Sequence, residues 1–360
     1  MKVNYYLNFE EENRVSMNQY SNRLIDDFKS RENLIINSIY PKINFISKFL
    51  GTTNGLRYSR YISYPNQIKN IQGCDVAHVC DHQYAHIVNY INSKVKIITV
   101  HDLIPLVFAK EKRRNPLLLK YSLNKLNNFD KIIAISEHTK KDILKFTNCS
   151  ADKIEVIYQS VEDYFNTNKI DNKSICKKYN LPFEKKKILI SGNVFYKNNI
   201  ISYRVLEELI KIDEKIILLH LGGKQNEIYS DKLVKNKNYF ILNDLKYNEV
   251  ANIYKISDIF FFPSIYEGYG LPLVEAMKCG LPIVCSNNSS IPEIVNDAVL
   301  SSEHDNVKFF VENIYKILSD HNIKTLYSTK SINRSKYFNL EDHNRQILNL
   351  YKRELKKKEL

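Results

Sequence analysis

The 360-residue sequence contains no run of about 18 apolar residues, so no segment reads as a helix that crosses a membrane. Its first residues, MKVNYYLNFEEENR, hold no apolar core of the kind a secretory signal needs. The six cysteines, at 74, 80, 149, 176, 279 and 285, form no Cys-x-x-Cys pair, which argues against a zinc site or a disulfide framework. Together these absences predict a cytoplasmic protein with reduced thiols. There is no Asp-x-Asp run flanked by an apolar strand, so no metal site is expected. Nor is there an RNP-like aromatic motif or a glycine-rich RNA loop, so nucleic acid is not an expected partner.

What is present in excess is positive charge, a net +13. It is uneven: residues 1–150 carry 22 Lys and Arg against 13 Asp and Glu, while residues 151–350 carry 26 against 25. A basic face attracts phosphates of any kind, whether in a nucleotide, an anionic lipid or a nucleic acid. Scattered surface lysines need no partner. The segment Lys110–Lys120, KEKRRNPLLLK, is denser: Lys110, Lys112, Arg113, Arg114 and Lys120 surround three leucines. That interleaving suits an anionic membrane surface, although the leucines could equally face a core.

At 44% hydrophobic residues and this length, the chain has material for two domains. Short β-rich runs at Val76–Cys80, Val95–Val100 and Lys131–Ile135 alternate with helical stretches at Met17–Ser30, where Ser16 opens a capping box, and Glu137–Phe146, which Ser136 would cap. A second series follows: strands at Lys187–Ser191, Ile216–Leu221, Tyr239–Leu242, Ile259–Phe262 and Leu281–Cys285, with helices at Ile201–Ile212, Tyr247–Ser257, Pro272–Lys278 and Val307–Leu318. The alternation predicts an α/β protein of two doubly wound parallel sheets. The expected domains are 1–170 and 171–345, with a basic tail at 346–360 and a polar joint near Asn166–Ser174. In such sheets ligands sit beyond the carboxyl ends of the strands, and with two sheets the cleft between them is the natural place.

The most informative stretch is YEGYGLPLVEAM, Tyr266–Met277, directly after the strand Ile259–Phe262. Glu267 and Glu275 stand eight residues apart, with Gly268, Gly270 and Pro272 between them. Pro272 suits the first position of a helix because its missing N–H has no partner there. The helix head behind two glycines then forms an anion site, and the carboxylates on either side can accept hydrogen bonds from sugar hydroxyls. The spacing therefore suits a phosphorylated sugar. A glutamate in a first helical turn also stabilises the helix dipole with no ligand at all.

The stretch FFFPSIYEGYGLPLVEAMKCGLPIVCSNNSSIPEIV, Phe260–Val295, resembles the signature of the retaining glycosyltransferases of family 4, which have the GT-B fold of two Rossmann-like domains facing a central cleft. The resemblance extends to ILISGNVFYKNNI (Ile188–Ile200) and, in the first half, to DVAHVCDH, VKIITVHDLIPLVF, DKIIAISEHTKKDILKF and DKIEVIYQSVEDYF. It covers residues 75–295 and leans toward the mannosyl- and rhamnosyl-transferring members. It implies that Glu275 holds the nucleotide ribose, that Glu267 lies by the donor sugar, and that the backbone of Gly268, Tyr269, Gly270 and Leu271 meets sugar and diphosphate. Lys197, after Gly192 and beside Asn198, would neutralise the diphosphate, and His101 would lie by the donor sugar or the acceptor. Family members often have Arg-Lys-Asn where this chain has Tyr196-Lys197-Asn198. The usual glycine-rich loop before the first helix is replaced by Asn13–Asn18, where Arg14 or the helix start would take over.

The resemblance thus implies transfer of a hexose from a GDP- or UDP-linked donor to a polysaccharide or lipid-linked glycan, with retained configuration, without metal or cofactor, at the cytoplasmic face of a membrane. The alternatives are an epimerase or phosphorylase on the same fold, a non-catalytic sugar-binding subunit, and a nucleic-acid binder suggested by charge alone.

Overall fold

A computed structural model of the chain describes residues 1–12, 14–43, 45–110, 116–222 and 237–359. They form two compact units, one of residues 1–159 with 341–360 and one of residues 160–340. The division falls at 159/160, before the polar joint expected near 166–174. The expected tail at 346–360 is instead part of a helix, Leu340–Glu359, whose residues from 341 onward belong to the first unit. The reason is a stripe at helical spacing: Ile347, Leu350 and Tyr351 are fully buried in a core with Tyr5, Phe28 and Val76, while Lys352 and Lys356 stay exposed on the other side.

The first unit has strands β1 (Lys2–Tyr6), β2 (Ile35–Ile39), β3 (Cys74–Val79), β4 (Ser93–Val100), β5 (Lys131–Ala134) and β6 (Ile154–Val156). They pair in the order β2-β1-β3-β4-β5-β6, all parallel. The first helix, α1, spans Val15–Lys29. It begins at Arg14 with no side-chain cap, so Ser16 lies inside the helix and the expected capping box does not form. Helix α2 is Leu117–Leu123 and helix α3 is Glu137–Phe146. Ser136 caps α3, its hydroxyl oxygen accepting from the Thr139 N–H at 2.9 Å.

The second unit has β7 (Lys186–Ser191), β8 (Ile216–Leu221), β9 (Tyr239–Leu242), β10 (Ile259–Phe262), β11 (Ile283–Ser286) and β12 (Leu300–Ser302), again all parallel, in the order β12-β11-β10-β7-β8-β9. Helices α4 (Asn199–Ile212), α5 (Tyr247–Ile256), α6 (Leu271–Lys278) and α7 (Val307–Ser319) cover it. Side chains alternate across a strand, so the phenylalanines of β10 serve both faces. Phe260 stacks on Phe262 and packs against Tyr254 of α5, both at 5.4 Å, while Phe261 meets Phe310 of α7 edge-on at 5.0 Å. Burying such a ring contributes roughly 1.5–3 kcal/mol, which is why this run forms a strand enclosed by helices.

In each sheet the strand order reverses at one place: between β1 and β3 in the first unit and between β7 and β10 in the second. At such a point successive crossovers diverge to opposite faces and leave a crevice at the carboxyl ends of the strands.

Candidate active site

At the reversal in the second unit, the loops leaving β7 and β10 are joined by an ion pair. Lys197 Nζ lies 2.7 Å from Glu267 Oε1, with side-chain exposures of 13% and 9%. The ammonium also sits 4.7 Å from the centre of the Phe262 ring, a cation–π contact that fixes its place. Gly192, at the end of β7, makes room for this: its φ is +88°, and a Cβ there would lie 3.0 Å from Lys197 Cγ and Cε. The sequence thus brings together Gly192, Lys197 and Glu267, which are up to 75 residues apart in the chain.

Glu267 opens the loop to α6. Gly270 precedes the helix with φ +96°, and a Cβ there would meet Leu273 Cδ1 at 2.9 Å. The helix starts at Leu271, one residue before the expected Pro272. Leu273 N–H donates to Gly270 O at 2.9 Å and Pro272 has no N–H, so of the amides at this helix head the one at Leu271 is left to meet an anion. The earlier start also moves Glu275 to the fifth helical position, outside the first turn. The helix dipole therefore does not account for it. Glu275 is buried, and the Tyr247 hydroxyl, at the start of α5, donates to its Oε1. Burial, reinforced by the Glu275 carboxylate, pushes the hydroxyl of Tyr254 well above its ordinary pKa.

The loop is held in shape from β11 outward. Ser289 Oγ accepts from Glu267 N–H at 2.8 Å, and Ser290 Oγ donates to Glu267 O at 3.1 Å and Tyr269 O at 2.9 Å. The Tyr269 ring is buried and meets Phe338 edge-on at 6.3 Å. Asn198 adopts φ +58°, and its amide donates to Pro263 O at 3.1 Å and His304 O at 2.8 Å. It acts as a tie between loops. Ile265 N–H adds a backbone bond to Tyr196 O at 2.7 Å. Buried His220, on β8, holds Gly192 O at 2.8 Å through Nε2, and burial lowers its pKa. Ser289, Ser290, His220 and Tyr247 were not identified in the sequence; only the serine pair before IPEIV carries a local sign, as small hydroxyls at a loop that must turn.

His101 is at the carboxyl end of β4 in the first unit and buried. Its Nε2 donates to Cys80 O at 2.8 Å and its Nδ1 lies 3.3 Å from the Gln159 amide, so both ring nitrogens are engaged within the unit. Burial lowers its pKa, outweighing the nearby Asp81. Arg14 is not a bare cation either: it pairs with Glu12 at 3.0 Å and Asp81 at 3.1 Å. Asn13, Lys112, Arg113 and Arg114 lie outside the described residues. Among the described residues no group of three or more His, Cys, Asp or Glu could hold a metal ion.

Residues 29–163 match the model of glycosyltransferase family 4, and residues 171–334 match that of the glycosyl transferases group 1. O-antigen chain mannosyltransferase B of Escherichia coli is 26% identical over 269 residues, covering 71% of this chain and 70% of that protein. Serotype-specific mannosyltransferase WbdA of Escherichia coli is 27% identical over 227 residues, 58% of this chain; the match spans only 27% of that longer protein. Among solved structures, sucrose-phosphate synthase of Thermosynechococcus elongatus superposes with a TM-score of 0.81 at 15% identity, covering 98% of each chain. Anabaena HepE in complex with UDP-glucose superposes with a TM-score of 0.76 at 13% identity, covering 97% of this chain and 99% of that one. With one of these family models on each half and two six-stranded parallel sheets beneath them, the chain belongs to the group 1 and family 4 glycosyltransferases and has their GT-B fold.

Proposed function

We propose that the chain transfers a hexose, mannose in the first instance, from a GDP- or UDP-linked donor to a sugar hydroxyl of a polysaccharide or lipid-linked glycan, with retention and without a metal. The observation that carries this reading is the Lys197–Glu267 pair across the strand reversal, beside the glycine-led head of α6 and the buried Glu275. In this reading charge growing on the leaving diphosphate is met by Lys197 and the Leu271 amide, in place of a cation. Glu275, held by Tyr247, accepts from the ribose hydroxyls. Glu267 faces the donor sugar, and the departing phosphate oxygen takes the acceptor proton. The mannosyltransferase names of the relatives support the choice of sugar, and the UDP-glucose complex of HepE supports a nucleotide-sugar donor. The test is product analysis by proton NMR with α-linked GDP- and UDP-hexoses in the presence of EDTA. The α-linked product is expected. A β-linked product would overturn retention, and activity lost in EDTA but restored by Mg²⁺ would overturn the metal-free site.

The acceptor reading includes a peripheral membrane contact. Leu117, Leu118 and Tyr121 of α2 are 64%, 42% and 50% exposed, with Lys120 exposed in the same helix; only Leu119 of the leucine run turns inward. Basic residues contribute about 1 kcal/mol each at an anionic surface. Co-sedimentation with phosphatidylglycerol vesicles is expected, falling steeply with salt, and absent with phosphatidylcholine alone. Equal sedimentation with both, or none with either, would contradict the contact.

A further inference from the structure

Gly192 has no side chain to bias its backbone, and its φ of +88° is a left-handed value that side chains disfavour. Its conformation is therefore set by what holds its peptide groups. Its N–H donates to Leu221 O of β8 at 2.9 Å. Its carbonyl oxygen accepts twice, from Asn199 Nδ2 at 2.9 Å and from His220 Nε2 at 2.8 Å, which engages both lone pairs. The two donors are not equivalent. Asn199 opens α4, two residues beyond Lys197, and moves with the loop it would have to fix. His220 is 1% exposed on β8, a strand inside the sheet, so it ties the loop to a rigid frame.

The partners of His220 also fix where its proton sits. A carbonyl oxygen only accepts, so Nε2 carries the hydrogen. Burial lowers the pKa of the ring, which is therefore neutral, with a bare Nδ1. The hydroxyl of Tyr239, on β9, lies 2.8 Å from Nδ1 and donates to it. The Tyr239 oxygen is then free to accept, and the hydroxyl of Tyr203, on α4, is 3.2 Å away. Three hydrogen bonds thus run in one direction, from Tyr203 to Tyr239 to His220 to Gly192 O, and bonds in such a line strengthen one another. The line ends beside Lys197. A Cβ at Gly192 would lie 3.0 Å from Lys197 Cγ and Cε, so the lysine stem runs close along this glycine. A turn of the Gly192 backbone would displace that stem.

We infer that His220, with Tyr239 and Tyr203 behind it, positions Lys197: the three side chains lock the Gly192 carbonyl to the sheet and so fix where the ammonium meets the diphosphate. This rests on the donor-site reading proposed above. His220 acts through Gly192 and does not touch the substrate.

The experiment compares nucleotides that differ by one phosphate. The full chain is titrated by calorimetry in EDTA with GDP, GMP, UDP and UMP, as wild type, His220→Leu, His220→Gln and Tyr239→Phe. For the base that wild type binds, His220→Leu is expected to weaken the diphosphate about tenfold, the scale of one misplaced hydrogen bond to a charged group, and the monophosphate less than about twofold. A merely structural role would weaken both nucleotides alike. His220→Gln keeps a donor for Gly192 O and an acceptor for Tyr239, and is expected to stay within about threefold of wild type. Tyr239→Phe removes one hydroxyl and is expected to cost the diphosphate about threefold; it carries the same comparison if His220→Leu does not fold. Long-range proton–nitrogen NMR of wild type is expected to show the His220 proton on Nε2. A proton on Nδ1, equal losses for mono- and diphosphate, or unchanged diphosphate binding in His220→Leu would overturn the inference. Binding of neither diphosphate by wild type would instead overturn the donor-site reading, and the inference with it.

Discussion

Replacing Lys197 by methionine is expected to lower kcat by about 10²–10³-fold, the cost of removing one group that stabilises developing charge in an enclosed site. The structure adds a second effect. Lys197 and Glu267 are mutual partners at 2.7 Å with little exposure, so the single substitution strands a carboxylate. Breaking a buried pair from one side costs about 3 kcal/mol, more than the intact pair contributes to stability. Lys197→Met should therefore unfold at lower temperature as well as turn over slowly. Lys197→Met combined with Glu267→Gln removes the stranded charge and should recover most of the stability while staying inactive. Circular-dichroism melts alongside product assays separate the two effects. A double variant that regained activity with its stability would show that Lys197 serves the fold and not the diphosphate.

The second large effect is expected at Glu275. Glu275→Ala should weaken binding of the nucleotide by about 1.5–3 kcal/mol, the range for a hydrogen bond to a charged group. A carboxylate in a first helical turn would cost the fold only about 0.3–1 kcal/mol on removal. Glu275 is deeper, at the fifth position of α6, and its loss leaves the Tyr247 hydroxyl without this acceptor. A stability loss of about 1–3 kcal/mol is therefore expected too. Tyr247→Phe keeps the carboxylate and removes only the group that orients it. It should weaken nucleotide binding by about 1 kcal/mol, roughly fivefold, with smaller loss of stability. Titration calorimetry reads all three proteins. Unchanged nucleotide affinity in Glu275→Ala would show that the residue does not hold the ribose.

The second unit was the more legible in sequence, for a physical reason. Its strands are buried on both faces and read as apolar runs, as at Ile259–Phe262 and Ile216–Leu221. The turn into α6 carries a glycine where the backbone needs one, Gly270 at φ +96°. The first two strands of the first sheet and the short edge strands of both sheets gave no such signal. β1 has Asn4 at its centre, buried to 1% and satisfied by Asn37 at 2.8 Å, so the strand KVNYY reads as polar until its partner is known. β2 is largely half-buried, and β6 and β12 have three residues each. Residues 346–360 looked like a basic tail because five Lys and Arg stand there against two Glu, whereas Ile347, Leu350 and Tyr351 decide where the helix packs. In the site, the spacing of their motif singled out the two glutamates and the resemblance singled out Lys197; the fold places Lys197 against Glu267. Tyr247, Ser289 and Ser290 act through contacts across the fold, and no spacing in the chain announces those. His101 followed a strand at the expected end, but its bonds to Cys80 and Gln159 emerge only in three dimensions.

The central claim, that the loops after β7 and β10 hold a nucleoside diphosphate without a metal, is tested most directly by calorimetric titration of the full chain with GDP and with UDP in EDTA. One of the two is expected to bind at one site per chain, with affinity reduced in Lys197→Met and displaced by the matching nucleotide sugar. Binding of neither nucleotide in EDTA, or equal binding by wild type and Lys197→Met, would contradict it.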